Sequence, residues 1–222
     1  MGETITLRGA DGFEFSAYHE QAFTPRKGGV IVLQEIIGID RHIRADVERW
    51  AKAGYEAIAP SLYDRRERNF TAEHDPEGVQ AGVAHAMGTP REQAMADIAA
   101  CRDFLAGRGK VCVVGYCYGG SLTWLAAAQV EGLAAASSYY GSMVGANAAL
   151  KPLCPTIIHL GHTDPGIKAD EVEQAVHAHH PDLPVYIYEG AGHGFNNESP
   201  ERYAEEAADL ARARTRELFE RA

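Results

Sequence analysis

Hydrophobic and polar positions alternate at the start of the chain, where "ETITL" and "FEFSAY" flank "ADG". This pattern predicts a hairpin that turns at Asp11-Gly12. "GVIVLQE" replaces the alternation with a continuous apolar run, as expected of a strand buried on both faces. In "DRHIRADVERWAKAG" the period changes to that of a helix. Ile43, Val47, Trp50 and Ala51 fall on one face, Asp40 is placed to cap the start and Gly54 to stop the end. "YEAIAP" is the next strand. From Ser61 to Gly88 the pattern weakens: "DRRERNFTAEHDPEG" is charged and irregular, and "VQAGVAHAMG" is at best a glycine-interrupted helix. A long irregular connection inside a compact domain is often a functional lid, so a lid or substrate region is expected around residues 61–89.

The helical period returns in "TPREQAMADIAACRDFLAG", with Thr89 expected as cap, Pro90 at the first helical position and Glu92 completing a capping box. "KVCVVG" is a buried strand, "YGGSLTWLAAAQV" a helix, "LAAASSYYG" and "CPTIIHLG" strands, "KADEVEQAVHAHH" a helix and "PVYIYEG" a strand. The closing stretch from Ser199 is expected to be one long helix, with Pro200 near its start and basic residues toward its end. Strands that alternate with helices predict an α/β fold, one domain over residues 1–222, with a mostly parallel sheet covered by helices on both faces.

Composition narrows the functional classes. The 222 residues carry 31 acidic against 21 basic side chains, a formal charge of -10, which argues against a nucleic-acid partner. No apolar run approaches the roughly 20 residues of a membrane span, and the amino terminus lacks the order of a secretory signal. A soluble, cytoplasmic protein with no membrane partner is expected. Gly2 and Thr6 match a myristoylation pattern, but the alternation from Glu3 to Leu7 competes with it. The four cysteines form no C-x-x-C pair, which disfavours a disulfide scaffold or structural zinc. Cys101, Cys112, Cys154 and Trp124 read as structural or core positions. "HAHH" at His177 to His180 resembles a metal tract, yet it ends an amphipathic helix and has no second cluster, so no metal is expected.

Cys117 is different. It stands at the centre of "GYCYGG", between a buried strand and a small-residue helix, and this G-x-C-x-G spacing is that of a nucleophile elbow with sulfur in place of oxygen. So sharp a turn strains the central residue and requires small neighbours, here Gly115 and Gly119. A helix N-terminus favours a thiolate and later an oxyanion, with the Tyr118 N–H as one donor. The competing reading is a tight glycine turn in which the thiol only fills space.

A nucleophile of this kind needs an acid and a base, in the chain order nucleophile, acid, base. "HLGHTDPG" places Asp164 in a turn after a strand, and "YEGAGHGF" places His193 among glycines after the last one. Asp164 would orient the ring of His193, which would exchange protons with Cys117. An ordinary turn aspartate and a surface histidine are the alternatives, and His162 competes as the base, although it is very near Asp164 in the chain. Glu35 ends the strand "VIVLQE", pointing toward the same mouth as Cys117 or serving as a capping or salt-bridged residue. Tyr116, Phe195 and Ile37 are candidates to line a substrate pocket.

These segments together resemble the dienelactone hydrolases, or carboxymethylenebutenolidases, of the α/β-hydrolase fold. "QEIIG", "GYCYGG", "GHTD" and "GAGHGF" match the family's four motifs in order. The resemblance implies Cys117, His193 and Asp164 as the triad, Glu35 as the group that holds or deprotonates the thiol, and the Ile36 N–H as a second oxyanion donor. It implies hydrolysis of a small-molecule ester or lactone through a thioester, with no metal or organic cofactor, in a monomer. The family's dienelactone-processing members carry an arginine four residues after the histidine, where this chain has Asn197. Its absence removes a charge-assisted contact to a substrate carboxylate, on the order of 1.5–3 kcal/mol. Arg65, Arg66 and Arg68 are candidates for a second such arginine. The alternatives to an ester or lactone hydrolase are a hydrolase of other activated esters, such as phosphotriesters, and a thiol-reactive module without turnover.

Overall fold

A computed structural model describes residues 2–199 and 201–222; Pro200, expected near the start of the last helix, lies outside them. The chain falls into two compact units, residues 1–113 and 114–222.

In the first unit, β1 (Glu3–Arg8) and β2 (Glu14–Glu20) form the expected antiparallel hairpin, with Glu3 opposite His19 and Arg8 opposite Glu14. β2 pairs antiparallel with β4 (Tyr55–Pro60), and β3 (Gly28–Leu33) runs parallel to β4. β3 and β4 are buried at every position, which is why their sequences lack alternation. Helix α1 (Arg41–Lys52) starts where expected: the Asp40 carboxylate accepts from the Ile43 N–H at 2.9 Å. It turns Ile43, Val47, Trp50 and Ala51 inward.

The weakly patterned region contains a regular helix, α2 (Pro76–Gly88), capped by Asp75, whose carboxylate accepts from Gly78 N–H at 2.7 Å. Its stripe is faint because the residues it buries are Gly78 and Gly82. Thr89 does not cap the following helix. Its hydroxyl donates to the His85 carbonyl at 2.8 Å and so closes α2, while α3 (Arg91–Ala106) has Pro90 at the N-cap position, one residue before its expected place, and no side-chain cap.

β5 (Val111–Tyr116) spans the boundary between the units in the chain. The second unit continues with α4 (Tyr118–Gln129), β6 (Ala135–Tyr139), β7 (Thr156–Gly161), α5 (Ala169–His179), β8 (Val185–Tyr188) and α6 (Glu205–Arg221). β6, β7 and β8 are parallel, with Tyr139 opposite His159 and His159 opposite Tyr186. A parallel register delivers the carboxyl ends of all three strands to one edge, where α/β sheets gather their sites. The long closing helix begins only at Glu205. Trp124 is fully buried on α4, its indole N–H donating to the Asn147 carbonyl at 2.9 Å. Among the described residues no helix is long and apolar enough to cross a membrane.

Candidate active site

Cys117 lies between β5 and α4 with φ +54° and ψ −112°, a conformation that costs a non-glycine residue about 1–3 kcal/mol. The surrounding backbone holds it there. Its N–H donates to the Tyr139 carbonyl at 3.1 Å, and its carbonyl accepts from the Ser121 N–H at 3.0 Å. A Cβ at Gly115 would sit 2.2 Å from the Gly119 carbonyl oxygen, so this corner admits no larger residue. Tyr118 is the first residue of α4, the position at which a helix presents N–H groups beyond its own ladder.

Asp164 occupies the turn after β7. One carboxylate oxygen accepts from the N–H groups of Gly166 (2.8 Å) and Ile167 (3.1 Å), and the other lies 2.7 Å from His193 Nδ1. The two loops that carry this pair touch closely: a Cβ at Gly161 would meet the Ala191 carbonyl oxygen at 2.5 Å, and Thr163 N–H donates to that same carbonyl at 2.9 Å. His162, the alternative histidine, faces away and pairs on the surface with Glu189 at 2.8 Å. Tyr140, at φ +38°, brings its ring to 5.2 Å from that of His193 and packs on Phe195.

Charge follows from these contacts. Burial opposes a charged His193 ring, but hydrogen bonds to Asp164 and Cys117, together with their negative charge, outweigh it and push the pKa up to about 10. Asp164 is buried, which alone would raise its pKa; the His193 ring and the two backbone N–H groups overcome that and hold it below its ordinary value. The His193 contribution to stability is complete below its ordinary pKa of 6.5 and is lost as pH rises through about 10. That of Asp164 is complete above 3.8 and is lost as pH falls further. The difference in Tm between wild type and His193→Ala is therefore expected to be widest between about pH 4 and 6.5 and to narrow as pH climbs through about 10. Thermal melts at constant ionic strength measure this, and a pH-independent difference would contradict an ion pair.

The remaining candidates have definite surroundings. Tyr116 and Phe195 are buried in an aromatic cluster with Tyr139 and Tyr140, and Asn197 is buried with its side-chain oxygen accepting from the Ser199 N–H at 3.2 Å. In the first unit Glu35 is almost fully buried, 3.3 Å from His74 Nε2, whose Nδ1 lies 4.0 Å from Asp40. Burial raises the Asp40 pKa, with the negative charge of Glu35 adding to it. Among the described residues Glu35, Asp40 and His74 are the group that could hold a metal ion, their ligand atoms lying within 4.8 Å of one another. The Ile36 carbonyl accepts from the Tyr63 hydroxyl at 3.1 Å, and Ile37 is buried beside it in the chain. Arg65 is taken up by Asp97 and Asp11, both at 2.6 Å; Arg66 donates to the Gly88 carbonyl; Arg68 is half exposed over Phe13. In the "HAHH" tract, His177 and His180 meet the carbonyls of Leu183 and Leu150.

Sequence reasoning passed over His159, Tyr188 and Thr215, which form a buried hydrogen-bonded group below the loops of Asp164 and His193. A histidine inside the apolar run "TIIHLG" was the signal available.

A strained residue between strand and helix, an acid after a later strand and a histidine after the last one, at the carboxyl edge of a parallel sheet, define an α/β hydrolase. A model of the dienelactone hydrolase family matches residues 15–222. A Yersinia pestis protein provisionally named carboxymethylenebutenolidase is 34% identical over 198 residues, covering 81% of this chain and 73% of its own length. Carboxymethylenebutenolidase 1 of Cupriavidus pinatubonensis is 28% identical over 230 residues, 99% of this chain and 97% of its own. The structure of a Klebsiella pneumoniae protein provisionally described as a dienelactone hydrolase superposes with a TM-score of 0.85 at 30% identity, over 99% of this chain and 98% of its own. The chain belongs to the dienelactone hydrolase family.

Proposed function

We propose that this chain is a cysteine-dependent hydrolase of small carboxylic esters or lactones that works through a thioester. One observation carries the reading: Cys117 is held at φ +54° at the head of α4, its thiol is close enough to His193 to help raise the ring's pKa, and His193 Nδ1 is 2.7 Å from Asp164. A raised imidazole pKa favours transfer of the thiol proton to His193, giving a thiolate and an imidazolium steadied by Asp164.

The thiolate attacks the carbonyl carbon. The new C–S bond pushes an electron pair onto the carbonyl oxygen, where the N–H at the head of α4 stabilises the negative charge. As the carbonyl re-forms, the C–O bond breaks and His193 gives its proton to the leaving oxygen. Water, deprotonated by His193, then attacks the thioester; collapse of this second tetrahedral species releases the acid and returns Cys117. Every group in these steps belongs to the second unit. Glu35 and Ile36 keep the parts that the family resemblance gives them as expectations, tested by substitution at Glu35.

Asn197 in place of an arginine predicts no preference for an anionic substrate. Matched esters and small lactones with and without a carboxylate test this: kcat/KM for the neutral member is expected to equal or exceed that of the anionic one. A preference of about 10-fold or more for the carboxylate would indicate that another cation binds it. Failure to turn over any ester or lactone, with stoichiometric labelling of Cys117 alone, would replace the hydrolase reading by a thiol-reactive one.

A further inference from the structure

The chemistry above leaves unused a buried polar network in the second unit. At its centre Thr215 Oγ1, on α6, lies 2.7 Å from the Tyr139 hydroxyl, 2.9 Å from Ser137 Oγ and 3.2 Å from His159 Nε2, and donates to the Ala211 carbonyl at 3.0 Å. On the other side of the ring, His159 Nδ1 is 2.8 Å from the Tyr188 hydroxyl, which accepts from Arg214 at 3.1 Å. With Arg214 donating to its oxygen, the Tyr188 hydroxyl lies within hydrogen-bond reach of His159 Nδ1, and the opposite ring nitrogen faces Thr215. Burial, with the Arg214 charge nearby, pushes the His159 pKa down to about 3, so the ring is neutral, with one nitrogen a donor and the other an acceptor.

Three members of the network also hold the loops of the site through their main-chain carbonyls. The Tyr139 carbonyl, at the end of β6, accepts the Cys117 N–H at 3.1 Å. The His159 carbonyl accepts from Tyr140, whose ring packs on His193, at 2.8 Å. The Tyr188 carbonyl, at the end of β8, accepts from His162 in the Asp164 turn and from Ala191 in the His193 loop, at 3.0 and 3.3 Å. Each of these residues is thus bonded twice: sideways, through its side chain, to the other strand ends, and upward, through its backbone, to a loop that carries or contacts a member of the triad.

Apolar side chains would fill the same volume, but hydrophobic contact is non-directional, whereas hydrogen bonds fix distance and angle. We propose that His159 and Tyr188, joined through Thr215 and Tyr139, are positioning residues that set the mutual geometry of Cys117, Asp164 and His193. This inference rests on the reading of those three as nucleophile, acid and base. Displacement of reacting groups by about 1 Å costs as much as 10²-fold in rate, so a loss of roughly 10-fold is expected for removal of one link.

The test uses the full chain with Tyr188→Phe and His159→Gln, singly and together. For each, Tm, kcat and KM on p-nitrophenyl acetate, and the pH profile of Cys117 alkylation by iodoacetamide are measured. Tyr188→Phe is expected to lower kcat about 10-fold with KM within about 2-fold, and to shift the alkylation profile. The double variant is expected to be little worse than the weaker single, since both break one link. If Tyr188→Phe does not fold, Thr215→Val against Thr215→Ser carries the same test, with the serine expected to restore most of what valine loses. Variants that lose only Tm, with kcat and the alkylation profile of wild type, would make the network core packing and overturn the proposal. An active Cys117→Ala protein would instead overturn the parent reading.

Discussion

Cys117→Ala is expected to lose at least about 10³-fold in kcat/KM toward activated esters while remaining folded. Alanine keeps the Cβ and the backbone bonds to Tyr139 and Ser121, so the corner at φ +54° carries the same strain as before. What disappears is the sulfur that His193 faces. The serine variant is a finer probe. An alcohol is far less acidic than a thiol, so an imidazole matched to a thiolate partner does not ionise it, and Cys117→Ser is expected to be substantially slower than wild type. Ester hydrolysis in purified variants, with circular dichroism to establish the fold, measures both. An alanine variant that kept most of its activity would remove Cys117 from the chemistry.

Asp164→Asn is expected to cost roughly 10²–10⁴-fold in kcat, a range set by loss of the same partner in other triads. The asparagine oxygen can take over the bonds from Gly166 and Ile167, so the turn survives. The group then facing His193 Nδ1 is an amide NH₂, a donor where an acceptor stood at 2.7 Å. The ring loses both its orientation and the charge that holds its pKa near 10. A profile of kcat against pH is expected to move to lower pKa together with the fall in rate. An unchanged profile would mean that Asp164 does not set the state of His193.

The parts of the site that could be read in the sequence are those dictated by local geometry. A sharp strand-to-helix corner needs glycine near Cys117, and this requirement is written within five residues. Asp164 and His193 could be proposed because strand ends bring distant loops together, and the nearness of His162 to Asp164 in the chain favoured His193 as the base. The partner of His162 could not be read in the same way, since its contact with Glu189 runs across two loops. Asp40 could be read as a cap because its partner Ile43 is three residues away, whereas Thr89 looked like a cap for α3 and instead closes α2. A threonine between two helices carries the same local signal for either role.

The His159 network left still less trace. Its bonds between side chains join residues 26 to 78 positions apart, and a lone polar residue in an apolar strand does not reveal its partner. The same limit applied to Arg65, one of three equivalent candidates by composition, which the fold places between Asp11 and Asp97.

The most direct test is to quench the reaction with an activated ester in acid during turnover and to map the protein by mass spectrometry. An acyl group on Cys117, removed by neutral hydroxylamine and absent from Cys117→Ala, is the predicted result. Acylation at another residue, or turnover with no acyl-protein under conditions where deacylation limits the rate, would contradict the thioester route.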